Sequence, residues 1–131
     1  MTPSRRTIPR SQNDLKAARY LLSAEFTVQA VSRAYHAAFV AAEAALQELG
    51  QTRSKHSGVI SAFTRIVVRE GGLGQEMDAV LRSLFSARNE ADYQERDVPM
   101  KEAETVVGDA ERFVDAVEEW LAARSDRGQR R

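Results

Sequence analysis

The 131-residue chain contains no cysteine, so disulfides, thiolate metal sites and cysteine nucleophiles are excluded. Its histidines are His36 and His56 alone. They form no His-Glu-x-x-His pair, and no acidic loop has the ligand spacing of a calcium site, so no metal and no cofactor is expected. No apolar run approaches the ~20 residues of a membrane span. No apolar segment near Met1 resembles a secretory leader, and a cytoplasmic location is expected. Prolines number three and glycines seven. The Gly71-Gly72-Leu73-Gly74 cluster fits neither a phosphate loop nor a dinucleotide fingerprint. No serine sits in a nucleophile elbow.

Net charge is also absent, but only on average. Arg5, Arg6 and Arg10 make the first ten residues basic. Arg124, Arg127, Arg130 and Arg131 outweigh Asp126 at the other end. The body between is therefore acidic. Between Lys101 and Ala123 alone, seven acids face two bases. A broad basic groove, the footprint of a dedicated nucleic-acid binder, is not written here. The ends read as flexible basic segments over 1–10 and 124–131, flanking one domain over 11–123.

What is present is helical periodicity. Ser11 opens a Ser-x-x-Asp pattern that can cap a first helix running to about Ala24, with Leu15, Ala18 and Leu22 inward. A second helix spans Thr27 to Leu49, its stripe built on Val28, Val31, Tyr35, Ala38, Phe39, Ala42, Leu46 and Leu49. Its many alanines favour close packing against the fourth helix, and Gly50 is a stop signal. His36 stands one residue off that stripe and reads as a structural histidine with its bonds satisfied. A third helix covers about Gly58 to Arg69. Before it, Lys55 and His56 lie beside free backbone N–H groups that could hold a phosphate. A capped helix behind a solvated basic loop is the plainer reading and the one we favour. Pro99 suits the first turn of a fifth helix whose stripe runs from Ala103 through Val106, Val107, Ala110, Phe113, Val114 and Val117 to Leu121. Trp120 is expected to close the core or meet a partner. Without strand-like alternation, the chain reads as an all-α up-and-down bundle of four long helices plus one.

The fourth helix carries the chemistry. Met77, Val80, Leu81, Leu84 and Phe85 define a buried stripe, and one turn further that stripe lands on Arg88. An inward arginine must be paired or must line a cleft, because an unpaired buried charge is very costly. Asp92 follows at i+4 and Tyr93 beside it. Either a structural ion pair between helices or a phosphate-holding site fits this set.

Three segments resemble the HEPN family of small helical domains: Ser32-Arg33-Ala34-Tyr35-His36-Ala37-Ala38-Phe39, Ser54-Lys55-His56-Ser57-Gly58-Val59-Ile60, and Leu84-Phe85-Ser86-Ala87-Arg88-Asn89-Glu90-Ala91-Asp92-Tyr93. The resemblance covers most of residues 12–123. It implies a homodimer in which fourth-helix motifs from two copies face one cleft. It also implies kinship with metal-independent endoribonucleases, whose Arg-x4–6-His motif binds the scissile phosphate and supplies acid–base catalysis. Such domains are often paired with a minimal nucleotidyltransferase antitoxin, which in some pairs adds AMP to a tyrosine near the motif. Arg88 takes the motif arginine position. The histidine position holds Tyr93, and a phenol is a poor general base at neutral pH. Asp92, or His56 brought in from the linker, could act instead, and Tyr93 could accept a nucleotidyl group. The implied alternatives are a ribonuclease-like toxin acting on RNA, and a non-catalytic module binding a nucleotide or the partner enzyme.

Overall fold

The computed structural model describes residues 7–51, 56–93 and 97–129. Five α-helices run in the order α1 (Pro9–Ser23), α2 (Thr27–Glu48), α3 (His56–Ala62), α4 (Gln75–Tyr93) and α5 (Met100–Gln129), with a π-helical continuation of α3 over Phe63–Glu70. No strand occurs among the described residues. This is the all-α bundle that the periodicity predicts.

α2 is the central element. Ala30, Ala34, Ala37, Ala38, Ala41, Ala42 and Ala45 are all fully buried. Small side chains let neighbouring helices approach closely, and they also favour the helix itself. α2 packs on α4 as expected, but α4 is not its main neighbour. α2 packs more extensively on α1 and α5 than on α4, because its alanines occupy more than one face and serve all three.

α1 begins two residues before the expected cap. Pro9 sits in its first turn, where the fixed φ suits a helix and the missing N–H costs nothing. Ser11 caps nothing: it is fully buried and its hydroxyl donates to Ala37 O of α2 at 2.8 Å. The free N–H of Ile8 instead donates to Glu118 Oε2 of α5 at 2.7 Å, and Gln12 Nε2 donates to the same carboxylate at 2.9 and 3.0 Å. Glu118 is fully buried, so it does not belong to the outer acidic face. A buried carboxylate persists here because donors surround it.

α1 and α2 end alike. Phe26 N–H reaches back to Leu21 O and Glu25 N–H to Leu22 O. Gln51 N–H reaches Leu46 O and Gly50 N–H reaches Gln47 O. Both are Schellman closures, which place a left-handed residue just past the helix. That residue is Gly50 (φ +73°) in one case and Glu25 (φ +67°) in the other.

Past Ala62 the helix widens. Gly71 N–H donates to Ile66 O at 2.8 Å, an i→i−5 bond. The wider turn shifts the inward phase, so Val67 and Val68 are both buried while Ile66 is only partly so. Trp120 closes the core as expected, donating from Nε1 to Gly71 O at 2.8 Å. A Cβ at Gly71 would lie 2.6 Å from Val67 O and 3.0 Å from the Trp120 ring. The Arg124 guanidinium stacks 5.0 Å from the same indole. The α5 backbone continues as helix to Gln129. The expected α5 stripe from Ala103 to Leu121 is buried throughout. No helix among the described residues is long and apolar enough to cross a membrane.

Candidate functional site

Tyr35 of α2 is 2 % exposed and packs between Phe39, at 6.0 Å between ring centroids, and Phe85 of α4, at 5.8 Å. These contacts fix where α4 passes α2. One helical turn beyond Phe85 the chain delivers Arg88 over the same ring. Its guanidinium carbon lies 4.9 Å from the Tyr35 centroid and 5.9 Å from that of Phe85. A cation over an aromatic face is held by the ring quadrupole, and more strongly where water is excluded. Burial pushes the Tyr35 phenol up to about 12; the Arg88 charge opposes that shift and Glu43 adds to it.

Arg88 is carried inward, as its place on the stripe predicts, and its side chain is 24 % exposed. Asp92 is its ion-pair neighbour, but Oδ2 stands 3.7 Å from Nε, beyond hydrogen-bond reach. Nε is buried and makes no hydrogen bond. The guanidinium is thus positioned by aromatic faces and only loosely neutralised. A planar, permanently charged fork in that state is suited to an anion such as a phosphate.

The other expected site residues are placed differently. Tyr93 ends α4 with 81 % of its surface exposed. Asp92 turns toward a groove it shares with Glu25, Phe26, Thr27, Val28, Gln29, Ala91 and Asp97. Lys55 lies outside the described residues. His56 is described only as the first residue of α3, and its side chain lies outside the description too.

Two parts of this region escape sequence reasoning. Tyr35 reads as one more core residue, and only the pairing of α2 with α4 turns its ring toward Arg88. Asp14 reads as part of a capping pattern, yet it is a buried carboxylate joining α1 to α2. Its Oδ2 is 2.6 Å from His36 Nδ1 and its Oδ1 3.2 Å from Arg33 Nη1. Arg33 and His36, spaced i and i+3, were the available signal. His36 thereby has the partner expected of it.

Fold and site define a small all-α domain with one arginine-centred polar site on its fourth helix. A family model described as HEPN domain matches residues 4–120, and the chain belongs to that family. A Thermotoga maritima protein named "UPF0332 protein" is 34 % identical over 113 residues, covering 86 % of each chain. A Methanocaldococcus jannaschii protein named "Putative toxin MJ0605" is 32 % identical over 111 residues, covering 85 % of this chain and 83 % of that one. A second protein of that archaeon, "Putative toxin MJ0142", is 26 % identical over 119 residues, covering 90 % of this chain and 81 % of its own.

Proposed function

We propose that this chain is the toxin-like member of a toxin–antitoxin pair. In this reading it is a cytoplasmic, ribonuclease-like HEPN protein that works as a homodimer, with Arg88 of each copy holding an RNA phosphate at a shared cleft. A minimal nucleotidyltransferase is the antitoxin that restrains it. The observation that carries this reading is Arg88 itself: half-buried, stacked on Tyr35, with Nε unbonded and Asp92 too far to satisfy it. Two relatives with toxin in their names support the biological setting.

Expression of the chain without its neighbouring gene should arrest growth, and Arg88→Ala should relieve the arrest. The purified protein should cleave single-stranded RNA in the presence of EDTA. Harmless expression together with intact RNA would refute the enzyme reading.

One observation favours a second reading. Tyr93 stands where the resemblance to the family's nuclease motif implies a histidine, and it is exposed to solvent. In that reading the protein is a non-catalytic module that binds a nucleotide or the partner enzyme through the Arg88 cleft. Saturable ATP or partner binding, weakened by Arg88→Ala and without cleavage, would identify it. Intact-mass measurement after co-expression with a neighbouring nucleotidyltransferase tests whether Tyr93 gains AMP.

A further inference from the structure

If Arg88 holds a phosphate, cleavage still needs a group that moves protons near pH 7. Tyr93 is a poor choice and Asp92 lies beside the arginine. We infer that His36, oriented by Asp14, is the acid–base catalytic residue of this site; this rests on the ribonuclease reading above.

The geometry begins with the two nitrogens of the ring. Nδ1 faces Asp14 Oδ2 at 2.6 Å. A carboxylate can only accept, so Nδ1 carries the hydrogen and the lone pair of the neutral ring resides on Nε2. Asp14 is itself fixed, being 7 % exposed and bonded to Arg33. His36, by contrast, is 41 % exposed at its side chain, and Asp14 engages its Nδ1 edge. A buried carboxylate that sets the tautomer and direction of a partly exposed imidazole is the arrangement that proton-transfer histidines use on unrelated folds. A histidine serving only to tie α1 to α2 would have no need of the second nitrogen at the surface.

The location also fits. α2 and α4 run antiparallel, with Tyr35 opposite Phe85 and Arg88, and Val28 sharing a groove with Ala91 and Asp92. His36 follows Tyr35, so it leaves α2 only ~1.5 Å further along the axis and about 100° round. His36 is thus the immediate neighbour on α2 of the residue whose ring carries Arg88. His36 shares with Ser32, Arg33 and Glu43 the exposed to half-exposed side of α2. Neighbouring helix axes lie about 8–10 Å apart, and the Arg88 and His36 side chains are long enough to meet one nucleotide between them.

The step balances without a metal or a second reactant. Nε2 takes the proton of a ribose 2′-hydroxyl as the 2′-oxygen forms its bond to phosphorus. The bond from phosphorus to the 5′-oxygen breaks, and that oxygen leaves with the electron pair and takes a proton from water. Arg88 neutralises the charge gathering on the non-bridging oxygens. The products are a 2′,3′-cyclic phosphate and a 5′-hydroxyl end. Asp14 touches no reacting atom and is a positioning residue.

The test uses the purified full chain, a fluorescent single-stranded RNA oligonucleotide and EDTA, with melting curves for each variant. His36→Gln keeps a polar side chain of similar length but cannot move a proton. Its kcat should fall about a hundredfold or more, with KM and RNA affinity unchanged. Free imidazole should restore part of the activity of His36→Ala and none of that of Arg88→Ala. Asp14→Asn should lower kcat while leaving KM in place. Cleavage by His36→Gln within about threefold of wild type would overturn the assignment, while Arg88→Ala inactivity would leave the ribonuclease reading standing. Wild-type protein that cleaves nothing would remove both.

Discussion

The guanidinium of Arg88 rests 4.9 Å from the centre of the Tyr35 ring, and the two residues hold each other in place. The ring depends on no charge of its own, so Tyr35→Phe should preserve RNA or phosphate binding. Tyr35→Leu keeps an apolar plug but removes the quadrupole. Binding by that variant should weaken by roughly 2- to 30-fold, the equivalent of ~0.5–2 kcal/mol. Fluorescence anisotropy on the two variants, both checked for folding, measures the difference.

The same residue makes stability sensitive to alkali. The Tyr35 phenol is pushed up to about 12 by burial, above its ordinary value in the unfolded chain. A raised folded value means that the unfolded chain loses this proton first as pH rises. The contribution is therefore fully present below pH ~10 and is lost between about pH 10 and 12. Urea titrations at pH 9 and 11.5 should show a larger loss for wild type than for Tyr35→Phe.

Glu25 occupies at the end of α1 the left-handed position that Gly50 fills at the end of α2. A side chain there costs about 1–2 kcal/mol, less whatever glycine adds to the entropy of the unfolded chain. Glu25→Gly should therefore stabilise the protein by ~0.5–1 kcal/mol. An upward shift of the urea midpoint without a change in slope is the expected result.

Glu118 does the opposite kind of work, accepting hydrogen from Ile8 and Gln12 in a fully buried setting. Glu118→Leu would strand both donors. A loss of about 2–4 kcal/mol is expected, and hydrogen exchange at the start of α1 should quicken before that of α2.

Most of the fold was legible because it rests on period. The bounds of α4 and the stripe of α5 follow from spacing alone, as does the arrival of Arg88 on the inner edge of its helix. What escaped depends on contacts between distant segments. Glu118 follows Val117 and looks solvent-facing on one helical stripe, but α1 and α2 both pack on α5 and widen its buried sector. The wide turns after Ala62 end at Gly71, whose carbonyl accepts from Trp120 across 49 positions of sequence. Ser11 is polar and looked like a cap, whereas Pro9 had already started the helix. The site was half legible. Arg88 could be seen, but the ring beneath it and the Asp14–His36 pair require knowing which helices are neighbours.

The π-helical stretch between Phe63 and Glu70 holds more residues than an ordinary helix would spend on the same distance. Shortening the chain there by one residue would tighten the coil rather than tear it. Among the helices of this bundle, that stretch is where a gap between homologous sequences can be accommodated with the rest of the architecture in register.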